Sequence, residues 1–86
     1  MANTRSAEKR IRQEQRRRLR NRMQRSRMRT AIKRVLKAED VEAARAGLKE
    51  TEALLDRLAT RRIIHPNKAA RTKSKLARRV NARAAA

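Results

Sequence analysis

The chain has 86 residues, 27 basic and 8 acidic, for a net charge of +19 and an isoelectric point near 12.0. Leu, Ile and Val supply only 14 side chains, alanine supplies 16, and Phe, Tyr and Trp are absent, so only a small core can form, and against strong self-repulsion. With no cysteine, one histidine and no clustered carboxylates, a disulfide framework, a thiolate nucleophile and a three-ligand metal site are all excluded. No catalysis, cofactor or small-molecule substrate is expected. No run is apolar enough to span a bilayer and the N-terminus lacks the apolar stretch of a secretory signal, which points to a cytosolic protein. A polyanion is the expected partner, and without aromatic stacking platforms it must be recognised through phosphates, shape and arginine.

Charge divides the chain into three blocks. Residues 1–37 hold 15 basic and 2 acidic side chains, residues 38–60 hold 3 and 6, and residues 61–86 hold 9 and none. One Gly and one Pro leave little turn chemistry, while Ala, Arg, Leu, Lys, Glu and Gln favour helix nearly everywhere.

The first helix is expected over about 7–37, with Ser6 as its N-cap and Glu8 in its first turn. Its C-terminal half carries a stripe of Met28, Ala31, Ile32, Val35 and Leu36 that can pack. Its N-terminal half does not: between Lys9 and Arg27 the large apolar residues are Ile11, Leu19 and Met23, and the arginines radiate around the axis. This half has no core to join and should overhang the rest, fraying in free solution until anions neutralise it.

A second helix is expected over about 41–61. Asp40 is its N-cap, and Val41, Ala44, Leu48, Leu54, Leu55, Leu58 and Ala59 form its apolar face. Gly47 lies within it and weakens it by about 1 kcal/mol relative to Ala. The acids of this block read as a solvent-facing surface that lowers repulsion, without binding chemistry. The segment from Ile63 to Asn67 is the one strong break, with Asn67 as the cap of a third helix over about 68–83. Ala69, Leu76, Ala77 and Val80 form the narrow apolar face of that helix, and Lys68, Arg71, Lys75, Arg78 and Arg79 gather opposite. The fold class is therefore all-α: one domain, residues 1–86, built as a three-helix bundle with a long, overhanging basic N-terminal helix.

Arg16, Arg17, Arg18, Arg20, Arg22, Arg25, Arg27 and Arg29 place guanidinium groups on a rod about 10–12 Å wide. Arginine binds phosphate bidentately and stacks on exposed bases, so such a rod suits a crevice in folded RNA rather than the single surface of a regular duplex. His65 beside Pro66 reads first as a turn residue and second as a donor to phosphate. A histone-like DNA-compacting protein shares the charge and the helices and is the alternative from another class. A membrane-active helix does not fit, because residues 9–27 lack a wide apolar face.

Two ordered signatures are more specific than charge. The first runs through Ala2-Asn3, Ser6-Ala7, Lys9-Arg10-Ile11-Arg12-Gln13, Arg17-Arg18, Arg20-Asn21, Ser26 and Met28-Arg29-Thr30-Ala31-Ile32-Lys33. The second comprises Ile64-His65-Pro66-Asn67-Lys68-Ala69-Ala70-Arg71, Lys73-Ser74, Leu76-Ala77 and Val80-Asn81. With these the chain resembles the bacterial small-subunit ribosomal protein of family number twenty over nearly its whole length, apart from the second helix. It departs from the family pattern after the first helix, where the usual glycine is missing and the connection is shortened, and at Pro66, where lysine is common.

The resemblance implies a monomer within the small subunit that binds 16S ribosomal RNA early in assembly, in the 5′ domain and at the long penultimate helix. It also admits neighbouring small-subunit proteins as partners. By matching positions it implies RNA contacts at Asn3, Ser6, Lys9, Arg10, Arg12, Gln13, Arg17, Arg18, Arg20, Asn21, Ser26, Arg29, Thr30 and Lys33. From the second signature it adds His65, Asn67, Lys68, Arg71, Lys73 and Ser74. The charge reading adds Arg16, Arg22, Arg25, Arg27, Lys75 and Arg78.

Overall fold

A computed structural model describes residues 2–86, with side chains from Thr4 onward. Three helices follow one another: α1 (Ala2–Leu36), α2 (Val41–Thr60) and α3 (Pro66–Ala85). α1 and α3 both pack along α2, and a thinner seam joins α1 to α3. The shape is elongated, 67 × 23 × 13 Å. Its radius of gyration is 17.7 Å, where a compact chain of this length would reach only about 12 Å.

α1 is already helical at Ala2, so Ser6 lies inside it rather than capping it. Asn, Thr and Ser each cost at most about 0.7 kcal/mol within a helix, too little to delay its start when nothing else breaks the chain. Residues 4–20 are all exposed, a projecting length of about 25 Å at 1.5 Å per residue. Ile11, Leu19 and Met23 remain 54%, 61% and 64% exposed, as expected of a half without a core. Cover begins at Asn21 and is complete at Met28 and Val35, which are buried. Leu36, expected in the same stripe, is 40% exposed: it sits about 100° around the axis from Val35, in a shallow recess beside Arg79 and Arg83.

α1 ends at Leu36, one residue before the expected boundary, because Asp40 in extended conformation opens α2. The Asp40 carboxylate accepts from the Ala43 N–H at 2.7 Å. This is a short charge-assisted cap that satisfies an otherwise orphaned donor. α2 runs unbroken through Gly47, and the structure supplies the reason for a residue without a side chain: a Cβ there would lie 3.2 Å from Val35 Cγ2. Glycine permits close approach of α1 and α2.

α2 ends at Thr60, with the Arg62 N–H donating to Ala59 O and the Ile63 N–H to Leu58 O. That is the bond pattern of a Schellman motif, which places Arg62 at φ 60, the position glycine usually takes. Ile63 and Ile64, expected only as part of a break, are buried against Leu58 and Ala69. α3 then starts at Pro66, two residues earlier than expected, and ends at Ala85 rather than Arg83. Proline at the first helical position loses no bond, since its missing N–H would be an orphan anyway, and its fixed φ suits the helix. The cap is consequently His65 and not Asn67, the Asn67 N–H donating to His65 Nδ1 at 3.1 Å.

The core has two layers. One joins Met28 to Leu54, Leu55, Leu58, Ile63, Ile64 and Ala69; the other joins Val35 to Ala44, Leu76 and Val80. Thr51 is the one polar side chain buried among the described residues.

Two stability changes follow. Arg62→Gly relieves the left-handed conformation and should stabilise the protein by about 1 kcal/mol, read as a higher urea midpoint with an unchanged slope. Leu55→Ala, which empties a fully enclosed position, should cost about 2–5 kcal/mol by the same measurement.

Candidate nucleic-acid interface

The only acids on α1 are Glu8 and Glu14, set against 14 basic residues between Arg5 and Arg34. Every basic side chain from Arg5 to Arg20 is exposed, and the single ion pair among the described residues lies elsewhere, between Lys73 Nζ and Asp56 Oδ1 at 2.8 Å. The projecting segment therefore presents unneutralised cations along its length.

Most residues expected at an interface are exposed. On α1 these are Ser6, Lys9, Arg10, Arg12, Gln13, Arg16, Arg17, Arg18, Arg20, Arg22, Ser26, Arg27, Arg29, Thr30 and Lys33, with Asn21 half-buried. The side chain of Asn3 lies outside the described residues. Thr30 has partly spent its hydroxyl, donating to Ser26 O at 3.0 Å. On α3, Lys68, Arg71, Lys75 and Arg78 share the face turned away from the core, with Asn67 and Ser74 exposed beside them. The two basic surfaces belong to different helices, and the bundle fixes their relative position.

Three expected contacts are occupied within the fold. Arg25 Nη2 donates to Ile63 O at 3.1 Å, tying α1 to the α2–α3 turn across 38 residues of sequence. Lys73 is held by Asp56; the hydrogen bond to that carboxylate raises its pKa above the ordinary lysine value, burial opposing the shift and the charges of Asp56 and Glu52 adding to it. Any stability from this pair is present throughout the neutral range and is lost only as pH rises through the raised Lys73 pKa. His65 spends Nδ1 as a helix cap, which leaves the imidazole proton on exposed Nε2 as a donor.

Other basic residues gain a place only from the tertiary fold. Arg34 and Arg57 join Arg27 along the groove between α1 and α2. Arg61 and Arg62 are exposed on the α2–α3 turn. Arg83 Nη2 donates to Glu39 O at 2.8 Å and closes the other end of the bundle. Their charge is visible in the sequence, but nothing local tells which helix each will face. Among the described residues no group of His, Cys, Asp or Glu could hold a metal ion, and no helix is long and apolar enough to cross a membrane.

The arrangement can bind polyanions on an exposed rod and on a second helical face. The family model described as ribosomal protein S20 matches residues 2–81. The small ribosomal subunit protein bS20 of Coxiella burnetii (strain RSA 493 / Nine Mile phase I) is 49% identical over 83 residues, covering 93% of this chain and 92% of the relative. The protein of the same description from Roseiflexus sp. (strain RS-1) is 55% identical over 80 residues, covering 92% and 89%. That of Persephonella marina (strain DSM 14350 / EX-H1) is 52% identical over 85 residues, covering 95% and 92%.

The bond to Ile63 makes Arg25 testable apart from its neighbours. Arg25→Met should destabilise the RNA-free protein by about 1–3 kcal/mol by leaving a part-buried carbonyl unpaired, whereas Arg22→Met should stay within about 0.5 kcal/mol, both by urea titration.

Proposed function

The chain belongs to the ribosomal protein S20 family, and from that premise we propose that it binds 16S ribosomal RNA directly through the projecting half of α1 and the outer face of α3. As a structural protein of the small ribosomal subunit it is not an enzyme. The observation that carries the RNA-binding reading is the exposure of every residue from Thr4 to Arg20 with no ion pair to a carboxylate.

Such a helix lowers its electrostatic energy by approaching phosphate. Set in a gap between RNA helices, α1 as a whole cancels the repulsion that holds them apart and fixes their orientation. The bundle supplies the rigid end of the lever, and α3 grips a separate stretch of RNA, so packing of the two RNA elements follows from the fixed relation of two protein surfaces. The RNA elements fit the 5′ domain and the long penultimate helix of 16S ribosomal RNA, the pairing that family resemblance suggests. The protein acts there as a monomer, in the cytoplasmic ribosome, beside other small-subunit proteins.

Each phosphate neutralised releases condensed counterion, so binding to 16S ribosomal RNA should weaken steeply with salt, with a log–log slope of about 0.7–0.9 per contact. Replacing Arg16, Arg17 and Arg18 together by glutamine should weaken binding and flatten that slope by about 2–3. Filter binding between low and moderate salt reads both. Unchanged affinity and slope, or equal affinity for long duplex DNA, would remove the RNA rod as the main contact.

A further inference from the structure

The charge on α1 is not spread evenly around its axis. Because α1 is unbroken from Ala2 to Leu36, each residue advances about 100° around the axis, and positions along its length can be compared. Lys9, Arg12, Arg16 and Arg20 fall within about 80° of arc. Arg5 precedes them on the same line and Arg27 and Arg34 continue it, so one basic stripe runs nearly the whole helix. Arg10 and Arg17 widen it in the projecting half to about 160°. Up to Arg17 the opposite side holds Thr4, Ala7, Ile11 and Gln15, flanked by Glu8 and Glu14, and no base. The two acids of α1 both sit there, beside an Ile11 that is 54% exposed.

At Arg18 this neutral side changes character. Arg18, Arg22, Arg25 and Arg29, spaced four, three and four residues apart, fall within about 60° of arc, centred about 150° from the first stripe. Arg18, Asn21, Arg22, Arg25 and Arg29 line one surface concavity, with no acid among them. Met28 and Val35 lie between the stripes and face the core, so the stripes flank the bundle on its two sides. The first continues into the groove where Arg27 and Arg34 meet Arg57 of α2. The second reaches the α2–α3 turn, where Arg25 holds Ile63 O at 3.1 Å.

We infer that α1 meets RNA on one side only up to Arg17 and on two opposite sides from Arg18 onward, where Arg18, Arg22 and Arg29 in the concavity take a second phosphate backbone. This deepens the proposed function and rests on it. Arg18, Arg22 and Arg29 rise along the axis by about 6 and 10.5 Å, a straight ladder that follows a single strand of phosphates, while Arg25 between them is held by Ile63 O. Arginine suits the task, because its planar fork engages two oxygens of one phosphate. Opposite the middle of the widened stripe the helix presents Ala7 and Ile11, flanked by Glu14 and Glu8, which would repel a backbone or leave it unpaired, so the RNA gap is open on that side. The wedge is one-sided at its tip and two-sided at its root.

The cysteine-free chain permits a direct test. Single cysteines placed by Arg12→Cys, Arg16→Cys, Arg22→Cys, Arg29→Cys and Ile11→Cys are each loaded with an iron(II)–EDTA reagent, and hydroxyl-radical cleavage of bound 16S ribosomal RNA is mapped. Positions 12 and 16 should cut one set of nucleotides, positions 22 and 29 a second, separate set, and position 11 should lose most of the cleavage seen at 12. In parallel, replacing Arg18, Arg22 and Arg29 by glutamine should flatten the salt slope by about 2–3 while leaving cleavage from position 12 unchanged. Arg25 is spared in that variant because it holds the turn. Cleavage from 11 as strong as from 12, or identical nucleotides from 16 and 22, would overturn the two-sided arrangement and leave RNA binding standing. A chain that protects no 16S ribosomal RNA nucleotides would overturn both.

Discussion

Unneutralised like charge on a helix without a core is the constraint from which the remaining architecture follows. Between Arg5 and Arg20 α1 has eight basic side chains and two acids, and no apolar face that could draw a second helix over it. Tertiary packing, which supplies most helix stability in ordinary proteins, is absent there. Helix propensity favours the segment only weakly, since arginine ranks near alanine but self-repulsion acts against it. Under the proposed function, phosphate supplies what packing does not: it removes the repulsion and, by binding guanidinium groups on a fixed pitch, selects the helical form.

The bundle is economical because its task is positional. Two layers built mainly of aliphatic residues suffice to hold α2 and α3 against the last three turns of α1. Several details serve alignment more than bulk stability. Gly47 lets α1 and α2 approach closely, Arg25 pins α1 to the turn, and Arg83 ties the end of α3 to the residue before the α2 cap. Together they set the direction in which the projecting helix leaves and its angle to the basic face of α3. The acidic residues of α2 fit the same logic: Asp56 engages Lys73, so one cation of α3 serves the fold while Lys68, Arg71, Lys75 and Arg78 remain exposed.

The helices and their inner faces were legible in the sequence, because apolar residues at helical spacing mark a buried stripe whether or not the partner is known. Leu54, Leu55, Leu58, Leu76 and Val80 are buried as their periodicity predicts, and Ile11 and Leu19 are exposed as isolated residues should be. The α2–α3 turn was misread in detail. The sequence suggests a break from Ile63 to Asn67 with Asn67 as the cap, but proline is tolerated at the first helical position, which puts the cap at His65 and the helix start at Pro66. Ile63 and Ile64 looked like part of a break because a two-residue apolar pair has no period, yet the Schellman turn folds them inward. At the interface, charge alone identified the rod, but not that Arg25 and Lys73 are occupied by the fold, since both partners lie far away in the chain. The two stripes became readable once α1 was known to be continuous.

Amide hydrogen exchange along α1, measured for the free protein and for its complex with 16S ribosomal RNA, tests the central claim most directly. The account predicts rapid exchange at residues 4–20 in the free protein, slower exchange near Met28 and Val35, and strong protection of the whole helix in the complex. Equal protection of residues 4–20 with and without RNA, or their continued rapid exchange in the complex, would contradict it.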